Sequence, residues 1–168
     1  MPIYLDKSHL EAIFAFVSLR YGRQEEVPVY AEHKEGMSKL LGILERTRMD
    51  VYYPSFLDKA VHLLVGINKG HCFGNGNKRL ALVATSTFLT LNGKCLNNHP
   101  KSEYELLLEE LFPMHKAWVD FPEFTGTDFA TYNLSIIIAD SGALGIDHDA
   151  LKSKVLHFLK VSVAENRK

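Results

Sequence analysis

Between Asn77 and Leu91 the chain reads NKRLALVATSTFLTL, apolar on nearly every side of a helix. A helix of that kind hides its surface only where other helices surround it. The segment is therefore expected to be the core element of a multi-helix domain, closed by Asn92-Gly93. The neighbours needed to bury it can be read from spacing. Ser8-x-x-Glu11 is a capping box ahead of Leu10, Ile13, Phe14 and Val17, which predicts a helix near 9 to 20 with Gly22 as its stop. Met37, Leu40, Leu41 and Leu44 give a second helix to about Arg48. Pro54-Ser55-x-x-Asp58 starts a third, with Phe56, Ala60, Leu63, Leu64 and Ile67 along one face and Gly70 at its end.

Further on, Ser102-x-x-Glu105 caps a helix through Leu111, and Thr127 or Asp128 and then Asp147 start two more, near 128 to 140 and 149 to 163. The stretch Gln24 to Gly36, with Pro28 between two valines, reads as a loop or short edge hairpin. The aromatic connection from Phe112 to Phe124 reads as a loop packed over the core, and the final ENRK as a solvated tail. No repeat or linker interrupts the pattern. The fold class is all-α, and 168 residues fit a single domain with a sizeable core.

Several classes of function are excluded early. No apolar run spans a bilayer, and the start MPIYLDKSHLEAIF lacks the basic and apolar parts of a secretory signal, so a cytoplasmic protein with no membrane partner is expected. Cys72 and Cys95 have no metal-type spacing and read as reduced thiols. With 19 basic and 20 acidic residues the net charge is -1, which offers no bulk attraction for nucleic acid. Anion binding, if any, must be local.

The local candidate is KGHCFGNGNKRLAL, residues 69 to 82. A helix starting near Asn77 presents unpaired N–H groups and the positive end of its dipole. Gly74 and Gly76 let backbone approach a ligand, and Lys78 and Arg79 sit where the dipole disfavours cations unless an anion compensates. Asn77 can cap the helix or bond a ligand. His71 can face the same anion and take a proton from an attacking hydroxyl, while Phe73 anchors the loop. The stretch is neither a Walker A loop nor GxGxxG, since Lys78 follows Asn77 and Arg79 takes the last glycine position.

His71-Cys72-Phe73-Gly74-Asn75-Gly76-Asn77-Lys78-Arg79 resembles the signature of the Fic/Doc family, His-x-Phe-x-acid-Gly-Asn-Gly-Arg in the Fic branch. Lys78 places the chain nearer the Doc (death-on-curing) branch, and the resemblance is strong over about 55 to 94. It implies a Fic-like all-α helical bundle with a short β-hairpin flap, here near Val27 to Glu35, that holds a target protein as an extended strand. It further implies ATP as substrate and Mg²⁺ as cofactor. His71 would be the general base, Gly74, Gly76, Asn77, Lys78 and Arg79 would hold the nucleotide, Phe73 would fix the loop and Asn75 would stand at the metal.

Asn75 replaces the family's usual acid, and an amide is the weaker ligand for a hard cation. Leu82 replaces the second arginine of the Fic branch, and Ala31 opens AEHKEG where an inhibitory Ser/Thr-x-x-x-Glu-Gly motif would carry a hydroxyl. The resemblance thus implies a toxin of a toxin–antitoxin pair that transfers the ATP γ-phosphate to a Ser or Thr hydroxyl of a cytosolic protein, elongation factor Tu by analogy. Two alternatives compete: a Fic-type protein AMP-transferase, opposed by Lys78 and Leu82, and a catalytically weak nucleotide- or protein-binding module, favoured by Asn75.

Overall fold

Helices form where the chain supplies an apolar stripe, four of them with a side-chain cap, and the computed structural model, which describes residues 1–22 and 27–166, shows seven α-helices among those residues. They fall into two compact units, Met1–Gly93 and Lys94–Lys168. The expectation of one Fic/Doc-like domain over 1–168 carried no hint of this division, because Asn92-Gly93 reads as an ordinary helix stop rather than a linker.

In the first unit lie α1 (Lys7–Tyr21), α2 (Lys34–Thr47), α3 (Phe56–Lys69) and α4 (Asn77–Leu91). The N-cap of α1 is Asp6, not Ser8: its carboxylate accepts from the Ser8 and His9 amides at 2.9 and 3.2 Å. A carboxylate competes better than a hydroxyl for amides at the positive end of a helix. Hydrogen bonds from the Ser8 hydroxyl and the His9 amide hold the Asp6 carboxyl down, at a pKa of about 2. The Ser55–Asp58 capping box of α3 forms as read from sequence.

α3 packs against α2 and α4, and α1 against α4. The expectation that α4 is the core element needs correction. Ser86 and Thr90 of α4 are exposed, whereas α3 buries even Lys59, His62 and Asn68. Burial of a lysine is tolerable only with partners. Lys59 Nζ donates to the Asp50 carboxylate at 2.6 Å, to Tyr53 O at 2.8 Å and to Thr47 O at 3.3 Å, and so ties α3 to the chain leaving α2. His62 stacks on Tyr53 and shares a hydrogen bond with Ile43 O at 3.1 Å. Such polar residues disguised α3 as amphipathic.

No hairpin occupies 27 to 36. Val27–Val29 is irregular, Tyr30–Glu32 is a 3₁₀ turn with Glu32 N donating to Val29 O, and His33 leads into α2; Gln24 to Glu26 lie outside the described residues. The physical reason is Tyr30, whose ring is buried (2% exposed) and pulls the segment inward. An extended target-binding edge needs a run of unpaired backbone groups, and here the carbonyls of Val29 and Tyr30 already accept from the N–H groups of Glu32 and His33.

The second unit holds α5 (Lys101–Leu111), α6 (Gly126–Asp140) and α7 (His148–Ser162), with a two-stranded antiparallel ribbon of β1 (Lys94–Leu96) and β2 (Val163–Glu165). Cys95 stands opposite Ala164, and Lys94 and Glu165 form an ion pair across it. Glu165, read as the first residue of a solvated tail, is therefore the last residue of β2, held by its pairing with Lys94; Arg167 and Lys168 lie outside the described residues. α5 begins after Pro100 rather than at Ser102, since proline's fixed φ suits a helix entry. α6 is capped by Thr125 and α7 by Asp147. Leu108, Leu134, Val155 and Phe158 fill the interior. Within the aromatic connection, fully buried Asn133 grips Val119, accepting from its N–H at 2.9 Å and donating to its carbonyl at 2.8 Å, while Phe121 is left 43% exposed.

Candidate active site

α3 ends in an unusual way. Gly70, its C-cap, keeps right-handed geometry, and the left-handed position that usually follows a helix as glycine is taken by His71, φ 45°. Left-handed backbone disfavours a residue with a Cβ, and such strain persists where the surroundings impose it. His71 is exposed, at the start of the loop that leads into α4.

The loop is nailed down on both sides of this residue. Phe73 is buried, edge-on to Tyr30 at 4.9 Å, to His33 at 6.1 Å and to Phe14 at 6.4 Å between ring centroids. Phe14 in turn stacks on Tyr30 at 4.5 Å. Gly36, in the first turn of α2, closes the wall: a Cβ there would stand 2.2 Å from the Cys72 carbonyl oxygen and under 3 Å from two Phe73 ring atoms. Burial pushes the neighbouring Cys72 thiol up from its ordinary pKa, so it stays protonated and inert near neutrality.

Asn77 has a third role besides the two foreseen. Its Oδ1 accepts from Phe73 N–H at 3.0 Å and its Nδ2 donates to Phe73 O at 2.6 Å. The side-chain amide is spent on the loop, which leaves the backbone N–H of residue 77 as its group for an anion. Gly76 is the N-cap, φ 74°, and provides no side-chain cap; no acidic residue lies in the first turn. The opening N–H groups of α4 precede the intrahelical ladder and receive no side-chain acceptor from their N-cap. Lys78 is exposed beside them, and the Arg79 guanidinium lies over the Tyr21 ring at 5.2 Å, a cation–π contact that steers a long side chain. Gly74 and Asn75 are exposed at the loop tip. The arrangement can bind an anion with dipole, amides and two cations while an exposed imidazole stands five residues upstream of Gly76.

Among the described residues no three His, Cys, Asp or Glu side chains come together. Asn75 offers one amide oxygen, which suits an Mg²⁺ carried in by phosphates with most of its water, the usual habit of that ion, and not one held by the protein alone.

Tyr21, Tyr30 and Gly36 belong to this site and escaped the reading of the sequence. Tyr30 lay within a stretch read as a loop or short edge hairpin, and Gly36 carries no local turn signal; its requirement comes from a loop 36 residues away in sequence.

The fold and site define a helical domain in which a helix start without a side-chain cap follows a strained histidine. The sequence model of the Fic/DOC family matches residues 4–89, and the chain belongs to that family, whose members are generally transferases acting on proteins. The match lies within the first unit. Neither the curated proteins nor the solved structures supply a match. No helix among the described residues is long and apolar enough to cross a membrane.

Proposed function

We propose that the chain is a Doc-like protein kinase of the cytoplasm: it transfers the γ-phosphate of ATP to a Ser or Thr hydroxyl of a protein, and is restrained by a partner antitoxin. The observation that carries this reading is the uncapped start of α4, with Lys78 and Arg79 in its first turn, immediately beyond exposed His71. Each part has a chemical task. The N–H groups of α4, Lys78 and Arg79 bind and neutralise phosphate oxygens, and Gly74 and Gly76 admit the backbone to close range. Neutral His71 accepts the proton of the attacking hydroxyl, whose oxygen forms the new bond to the γ-phosphorus as the bond to the β-bridging oxygen breaks and ADP leaves. Mg²⁺, with Asn75 beside it, supplies further charge neutralisation when bound. Lys78 and Leu82 favour γ-transfer over AMP transfer. Elongation factor Tu as target rests on the resemblance to Doc.

The test is incubation of the protein in a bacterial lysate with ATP labelled at the α- or the γ-position. A protein band labelled only from γ, absent with His71→Ala although that variant still binds ATP in a calorimeter, is expected. A band labelled from α would replace the reading with AMP transfer, and none at all, with ATP binding retained, would leave the binding module that Asn75 favours.

A further inference from the structure

Tyr30 carries a hydroxyl for which the fold has no use. It is buried, and among the described residues its oxygen has no hydrogen-bond partner. The ring cannot turn the hydroxyl elsewhere, because Phe14 is stacked on it at 4.5 Å and Phe73 meets it edge-on at 4.9 Å. What lies in front of the hydroxyl is the start of α4. A Cβ built on Gly76, the N-cap, would stand 3.0 Å from the Tyr30 oxygen, so the only residue type without that atom occupies the position. The same few ångströms therefore hold the first amides of α4, a helix dipole without a side-chain cap and the spare Tyr30 donor, all of one polarity.

We propose that the Tyr30 hydroxyl is a hydrogen-bond donor of the anion site at the start of α4, held ready for an oxygen of a bound phosphate group. This rests on the phosphate-binding half of the proposed function and not on which phosphorus is attacked. The donor is a neutral one. Burial raises the pKa of the hydroxyl to about 12, so it keeps its proton at any pH at which the protein is used. An anion accepts from a buried neutral donor without the cost of a further buried charge, and a charge-assisted bond of this kind is stronger than one between neutral groups. The hydroxyl also accounts for the aromatic wall: Phe14 and Phe73 hold the ring, and the 3₁₀ turn at Tyr30–Glu32 holds its backbone.

Tyr30→Phe separates this from a structural role, because phenylalanine retains both ring contacts. Calorimetric titration with inorganic pyrophosphate, and separately with ATP, is compared with thermal melting in the absence of either. The expected result is melting unchanged or slightly raised, with affinity for both probes lowered about tenfold, the equivalent of 1.4 kcal/mol. Equal affinity in the two proteins overturns the inference, as does a failure of the native protein to bind either probe. A variant that melts far below the native protein overturns it too, since the hydroxyl would then serve the fold. The labelled-ATP assay of the native protein keeps the two readings apart: pyrophosphate binding that depends on Tyr30 without γ-transfer sinks the kinase and spares the donor, and γ-transfer with unaltered affinity in Tyr30→Phe does the reverse.

Discussion

Replacing Asn77 by alanine removes the two hydrogen bonds that hold Phe73, N–H to Oδ1 at 3.0 Å and Nδ2–H to O at 2.6 Å. Each is partly shielded from water. A net value of about 0.5–1.5 kcal/mol per bond puts the loss at about 1–3 kcal/mol. If the loop opens locally, that energy speeds exchange of the Phe73 amide hydrogen roughly 5- to 150-fold. Asn77→Asp retains an acceptor for the Phe73 N–H but no donor for its carbonyl, and its charge suits the start of α4. It should fall between alanine and the native residue. Hydrogen exchange followed by NMR at Phe73, with amides of α3 as the unaffected reference, measures both variants. Exchange at Phe73 within twofold of native in Asn77→Ala would refute the clamp and return the side chain to the ligand.

Gly36→Ala should lower the stability of the first unit by about 1–3 kcal/mol, because a Cβ 2.2 Å from the Cys72 carbonyl forces the loop to move; urea unfolding and the transfer rate of the surviving folded protein both check it. Asn75→Asp should lower the Mg²⁺ concentration for half-maximal transfer, and superimposed Mg²⁺ titrations of the two proteins would show that residue 75 is not at the metal. Asp6 is held at a pKa of about 2 against an ordinary 3.8. A depressed folded-state value means that its stabilisation of α1 is complete above about pH 4 and lost as pH falls toward 2, so acid melts of Asp6→Asn should be flatter than native in that window and in no other.

How much of this was written in the chain depends on the range of the interactions. Helix positions are local matters of spacing and capping, and α3 with its Ser55–Asp58 box, α4 from Asn77 to Leu91 and the caps before α7 follow from a few adjacent residues. The loop at 71 to 79 was visible for the same reason: glycines, cations and a histidine next to a helix start are a one-dimensional pattern. Tertiary structure alone decided the rest. Strand β1 finds β2 across 66 intervening residues, and α3 becomes the buried helix only because Lys59 and His62 meet acceptors from α2. The aromatic wall is the clearest case. Phe14, Tyr30 and Phe73 come from three separate segments, and no spacing rule could bring the Tyr30 hydroxyl to Gly76; only packing, which is non-directional in sequence, puts a donor there.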